Sequence, residues 1–208
     1  MENKNSQNKQ IYYKYRSLEN FKHFTDIILN NRMYAALFSA FHDIDNAEGK
    51  YYHDGKLNPK LREKLIEEKK GYGICCLAEN SENEYLWENY ANKHKGIAIA
   101  IRLSENCVLR EINYNDSLVT LTENDQIDYD TAINILTTKQ EKWVKEQEIR
   151  AIKFRDGGNY FSIEIIEVIA GKKMSDDDYD LLEKLVQKID NKITVKKKRE
   201  MGIEDINV

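Results

Sequence analysis

Seven residues, Ile97-Ala98-Ile99-Ala100-Ile101-Arg102-Leu103, constrain the fold more than any other stretch of this chain. Alternation at period two predicts a strand, because successive side chains leave a pleated backbone on opposite sides. One face carries Ile97, Ile99, Ile101 and Leu103 and requires an apolar layer against it. The other carries only Ala98 and Ala100, so whatever covers it has to approach closely. The chain therefore builds a layered sheet protein, and the remaining segments must supply the layers.

Several segments have the right periods. Residues 11–16, 72–77, 160–170 and 193–197 read as strands, and 148–155 joins 160–170 through Asp156-Gly157-Gly158-Asn159 as a hairpin. Ser17 predicts the cap of a helix running to Leu29, with Leu18, Phe21, Phe24 and Ile28 on one stripe. Asn58-Pro59 opens a helix that ends at Gly71, since proline at the first helical position sacrifices no hydrogen bond. Ser81-Glu82-Asn83-Glu84 reads as a capping box for a helix bearing Leu86, Trp87, Tyr90, Ala91 and His94, closed by a left-handed Gly96. Residues 124–145 read as mostly helical, and Ser175 caps a last helix with Tyr179, Leu182, Leu185, Val186 and Ile189. Residues 33–41 fit a strand or a buried turn, 42–55 a polar loop, and 111–122 a strand or loop.

With no repeat, no linker and one proline in 208 residues, the expectation is a single α+β domain over 11–208. Its sheet is mixed and mostly antiparallel, with flanking helices, and residues 1–10 form a disordered arm. The net charge of -4 supplies no general field for nucleic acid or an anionic surface. No apolar run is long enough to span a bilayer and no signal-peptide core opens the chain, so a cytoplasmic protein without a membrane partner is expected. Cys75, Cys76 and Cys107 have neither metal-ligand spacing nor a disulfide framework and read as reduced thiols. Phosphate-binding glycine loops, a GxSxG elbow and CxxC are absent.

Candidate chemistry concentrates in Trp143-Val144-Lys145-Glu146-Gln147-Glu148-Ile149-Arg150. In extended backbone Glu146, Glu148 and Arg150 share one face, which continues into Ile152 and Phe154. Aimed at the interior, these charges need either a partner or a chemical role. The glutamates suit a general base, a hydroxyl-orienting group or a metal ligand, and Arg150 suits an anion clamp. On a solvated edge they are an ordinary ion pair. No aspartate or histidine can be placed beside them, so no metal is expected. Lys14 and Arg16 alternate with Tyr13 and Tyr15, giving a basic and an aromatic face; inside a sheet the basic face suits an anion, at an edge it only deters aggregation. Trp87, Tyr90 and His94 form either a core stripe or one wall of a pocket. His42, Asp43, Asp45 and His53 read as loop capping, and Lys196-Lys197-Lys198-Arg199 as a solvated face.

Tyr13-Lys14-Tyr15-Arg16, Phe41-His42-Asp43, Leu86 to Ala91 with His94-Lys95-Gly96, and Trp143 to Arg150 together resemble the bacterial domain-of-unknown-function family 2971, over most of residues 12–171. The family's usual Asn-Asp-Pro is replaced here by His42-Asp43-Ile44. Its layout is similar to that of ADP-ribosyltransferase-like domains, which implies a split sheet and NAD as substrate. The resemblance implies that Glu148 orients the nicotinamide ribose and stabilises an oxocarbenium-like transition state, with Glu146 as acceptor-side base. It implies that Lys14 or Arg16 holds the pyrophosphate and that Trp87 and Tyr90 stack on a ring, with Tyr15, His94 and Arg150 completing the nucleotide site. The resemblance further implies a protein or nucleic-acid acceptor and the setting of a toxin or phage-defence effector. Two alternatives stand beside it: a non-catalytic nucleotide- or protein-binding module, and a metal-dependent nuclease built on the carboxylates.

Overall fold

The computed structural model describes residues 10–41, 58–104, 107–116, 121–122 and 125–199. The arm at 1–9 and the loop with His42, Asp43, Asp45 and His53 lie outside them. Along the chain run the strands β1 (Tyr12–Arg16), β2 (Arg32–Tyr34), β3 (Tyr72–Ala78), β4 (Ile97–Leu103), β5 (Val108–Glu111), β6 (Asn113–Tyr114), β7 (Thr138–Lys139), β8 (Glu148–Phe154), β9 (Tyr160–Ala170) and β10 (Thr194–Lys197). The helices are α1 (Phe21–Asn30), α2 (Pro59–Lys70), α3 (Glu84–Asn89), α4 (Tyr129–Leu136) and α5 (Asp176–Ile189). The chain is α+β with mostly antiparallel pairing, and among the described residues no helix is long and apolar enough to cross a membrane.

Contacts gather into two compact units; the described residues of the first fall in 10–32, 78–104 and 162–199, and those of the second in 33–41, 58–77, 107–116, 121–122 and 125–161. In the first unit the strand order is β10-β9-β4-β1, with β10 parallel to β9 and the other pairs antiparallel. β1 is an interior strand, because Tyr13 also pairs with Ala78. The alternation of β4 sorts the two faces. Lys14 pairs with Ile99 and Arg16 with Ile97, so these four share one face, whereas Tyr13 and Tyr15 share the other with Ala100 and Ala98. The alanine face is covered as closely as its small side chains require: Ala98, Tyr15, Leu86, Trp87, Ala91 and Ile169 form one buried cluster.

Side-chain caps fix the helix starts, but not always at the expected residue. Ser175 caps α5 as expected, and Asp176, Asp177 and Asp178 place negative charge at the positive end of its dipole. Asn20, not Ser17, caps α1, and Asn83, not Ser81, caps α3. In each case the later asparagine is the residue whose register buries Phe24, Ile27 and Ile28, or Leu86 and Trp87. Gly96 is not left-handed; a Cβ there would stand 2.3 Å from the Arg16 carbonyl oxygen, so glycine is needed for close approach. The basic stretch at 196–199 is also more than a solvated face, since Lys196 pairs with Glu167, Lys197 with Asp176, and Lys198 with Glu82 and Glu84.

In the second unit β8 lies between β3 and β5. Phe38, Tyr72, Ile74, Ala132, Ile133, Leu136 and Ile152 form its main core, and Leu65, Leu121, Ile127 and Ile135 a smaller one. Asn58 caps α2 with Pro59 in its first turn, as the sequence indicates. The expected helix over 124–145 is interrupted: α4 stops at Leu136, β7 follows, and 3-10 turns run from Glu141 to Glu146. The expected hairpin of 148–155 with 160–170 does not form. β8 pairs with β3 and β5, β9 with β4 and β10, so the turn after Phe154 is a connection and not a hairpin loop.

Candidate functional site

A parallel pairing of two residues builds the main candidate site. β6 and β7 align Tyr114 with Lys139, and the 3-10 turns then return the chain to β8. Glu146 is the last residue of those turns rather than part of the strand, and Gln147 follows with φ 46°. That left-handed residue brings Glu146 and Glu148 to the same ammonium group. Lys139 Nζ lies 2.5 Å from Glu146 Oε2 and 2.9 Å from Glu148 Oε2. Arg150 Nε donates to Glu148 Oε1 at 2.7 Å, and its Nη1 donates to the Leu136 carbonyl at 2.5 Å. The Glu148 amide donates to Tyr114 Oη at 2.8 Å, and the Cys76 thiol is hydrogen-bonded to the Glu148 carboxylate. Aromatic rings flank both cations, Phe41 at 5.3 Å from Arg150 Cζ and Trp143 at 5.3 Å from Lys139 Nζ.

The four charged side chains are sealed from solvent: Arg150 is 0% exposed, Glu146 3%, Glu148 6% and Lys139 6%. Burial pushes the Glu148 carboxyl upward, but Arg150 and then Lys139 outweigh it and hold the group well below the ordinary carboxylate range. Burial raises the Tyr114 phenol to about 12. The arrangement is therefore two enclosed carboxylates facing two fixed cations, with Glu148 ionised between them. Arg150 and the glutamates were legible in the sequence; Lys139, Tyr114 and Cys76 were not. The face that starts at Glu148 continues into buried Ile152 as expected but ends in solvent at Phe154, which is 55% exposed.

The remaining expected site residues all lie in the first unit, on two faces of its sheet. Tyr15, Trp87 and His94 come together: the Tyr15 and Trp87 rings meet edge to face at 5.2 Å, and the His94 ring stacks on Trp87 at 5.9 Å and 11°. Trp87 is fully buried, with its indole N–H donating to the Ser81 carbonyl, and burial raises the Tyr15 phenol above its ordinary value. Tyr90 follows the end of α3 and is exposed. Lys14 and Arg16 occupy the opposite sheet face, and Arg16 Nε is buried without a hydrogen-bond partner.

His94 closes a run of three left-handed residues, Asn92, Lys93 and His94, at φ 47°, 53° and 68°. Such backbone costs about 1–2 kcal/mol per residue. It is pinned by the Gly96 amide on the Ala91 carbonyl at 2.7 Å and the Lys173 amide on the His94 carbonyl at 3.0 Å. The His94 Nε2 lies 3.3 Å from Glu84, with Glu88, Lys172 and Lys173 also acting on the ring, while Nδ1 is buried and unpartnered. Burial lowers the His94 pKa from 6.5 despite Glu84. Below pH 6.5 the unfolded chain therefore takes this proton first, and stability falls as pH drops from 6.5 toward the lower folded value. Urea unfolding between pH 7.5 and pH 5 should show a smaller loss for His94→Asn than for the parent; equal losses would refute this assignment.

Comparison of the chain with protein-family models, curated proteins and solved structures gives no match.

Proposed function

We propose that the chain is an ADP-ribosyltransferase-like enzyme that cleaves NAD at its nicotinamide–ribose bond, with Glu148 as the working carboxylate. The observation that carries this reading is the Glu148 group itself, ionised and aligned through one oxygen by Arg150 and through the other by Lys139. When nicotinamide leaves with the bonding electron pair, positive charge develops on the ribose. A carboxylate already ionised and held by Arg150 stabilises that charge. A water or an acceptor group then bonds to the anomeric carbon as its proton passes to the carboxylate of Glu146, the acceptor-side base of this reading. Because both glutamates are buried and paired, the cationic pyridinium ring of NAD has to take the place of Lys139 as it binds. The four-segment resemblance supports the same reading and, with it, a toxin or phage-defence setting.

Burial favours a second reading. All four charges are enclosed and mutually neutralised, as in a structural staple, and the chain is then a non-catalytic nucleotide- or protein-binding module. The nuclease alternative has no comparable support: among the described residues no three His, Cys, Asp or Glu side chains are grouped to hold a metal.

The full chain incubated with NAD should release nicotinamide, followed by chromatography with water, protein and nucleic-acid acceptors offered in turn. Release should vanish in Glu148→Gln, assayed well below that variant's own melting midpoint. Intact NAD with every acceptor would eliminate the enzyme, and calorimetric nucleotide binding without turnover would establish the module instead.

A further inference from the structure

We propose that residues 92–96 form an acid-sensitive latch: protonation of His94 opens this turn locally, ahead of the rest of the first unit, and lifts the imidazole off Trp87. The latch is wound against its own backbone preference. Asn92, Lys93 and His94 all lie in the left-handed region and none is glycine. Backbone of this kind persists only while surrounding contacts hold it. Here the contacts can be named. The His94 amide donates to the Trp87 carbonyl and the Lys93 amide to the Glu88 carbonyl, each at 3.2 Å, while the Gly96 amide reaches back to Ala91 and the Lys173 amide caps the His94 carbonyl.

The ring of His94 supplies the trigger. It is 4% exposed and stacked on the fully buried Trp87. Nε2 faces the Glu84 carboxylate and carries the proton of the neutral ring, which leaves Nδ1 as a buried lone pair without a partner. Protonation turns that lone pair into a second N–H with no hydrogen-bond partner in reach, so the closed turn bears the full desolvation penalty of a buried donor and a buried charge. Neighbouring charges do not remove it. Glu84 and Glu88 on α3 attract a cationic ring, but Glu84 Oε2 already lies 3.2 Å from Lys172 Nζ and its Oε1 3.4 Å from Lys198 Nζ. Lys172 and Lys173, in the connection after β9, repel it. Across the Trp87 ring stand Lys198, paired with Glu82, and the phenol of Tyr15, while Lys93 and Lys95 flank His94 along the turn and are exposed. Once the turn opens, both ring nitrogens meet water and the left-handed residues relax. Relief of the backbone makes the opening local, and the proton sets its pH: it begins as pH falls through the ordinary histidine value of 6.5.

Amide hydrogen exchange of the full chain between pH 7.5 and pH 5.5, corrected for the intrinsic rate at each pH, tests the latch. The amides of Lys93, His94, Gly96 and Lys173 should be less protected than that of Ile99 in the middle of β4, and their exchange should be insensitive to urea below the unfolding transition. Their protection should fall about three- to tenfold over this interval, one proton with an open-state pKa near 6.5 supplying roughly tenfold at most. His94→Asn should abolish the fall, because asparagine accepts left-handed backbone and does not titrate. If that variant fails to fold, Lys172→Gln at a partly exposed position replaces it: without this cation Glu84 holds a protonated ring better, and the fall should shrink by about half or more. Protection independent of pH, or a fall undiminished in the variant that folds, would overturn the proposal. So would latch amides that follow Ile99 in urea, since the opening would then be global unfolding.

Discussion

Arg150→Met should lower the unfolding free energy by about 3–5 kcal/mol, the usual effect of removing one partner from a buried ion pair. For a chain of this length that is roughly 6–20 °C in melting midpoint. The substitution leaves Glu146 and Glu148 facing each other across the single ammonium group of Lys139, and it strips the Leu136 carbonyl of its donor. The loss follows from where the charges lie. At the surface the same pairs would contribute about 0–1 kcal/mol. A companion variant separates stability from function. Converting Lys139, Glu146, Glu148 and Arg150 together to apolar residues of similar volume should restore the parent's stability or exceed it. If that apolar variant also loses nucleotide binding or NAD cleavage, the quartet serves function as well as folding. Acid adds a sign. The folded Glu148 group titrates below its unfolded value, so its contribution is complete above the ordinary carboxylate range and fades as pH falls through and below it. Urea unfolding of the full chain measures all of this, and a loss under about 1 kcal/mol for Arg150→Met would show the quartet to be energetically idle.

Gly171→Ala should be more damaging still, beyond the roughly 4–5 kcal/mol that marks exceptional substitutions. An added Cβ would stand 2.1 Å from the His94 carbonyl oxygen and 2.6 Å from its carbon, both main-chain atoms that cannot rotate away. Gly171 is also bonded to Gly96, its amide donating to the Gly96 carbonyl at 2.8 Å, so two strands and the left-handed turn are locked at one crowded point. Gly157 provides the control, because nothing lies within 4 Å of a Cβ placed there. Soluble yield and melting should collapse for Gly171→Ala and stay near the parent for Gly157→Ala. Equal melting of the two would refute the close-approach argument.

The fold was legible where a local rule and the tertiary structure demanded the same thing. The Ile/Ala alternation of β4, proline in the first turn of α2 and Ser175 before α5 are such places. Ser17 and Ser81 misled because asparagine caps as well as serine, and burial of the helix stripe chose between them. The glycines of the loop after Phe154 misled because turn chemistry says that a chain bends, not which strand it meets next. In the site, Glu148 and Arg150 are two residues apart on one strand and could be read together. Lys139 is nine residues from Glu148 and Tyr114 is 34, and they arrive only through the β6–β7 pairing, for which the sequence carries no periodic signal.

The position of β10 sets an order of assembly. Every residue of the second unit has been synthesised once residue 161 is made, whereas the first unit, which includes residues 10–32, waits for residues 194–197 to cover the free side of β9. The unit begun first is completed last, and the basic side chains at 196–198 that moor its final strand to Glu167, Asp176, Glu82 and Glu84 close it only after the second unit could already have folded.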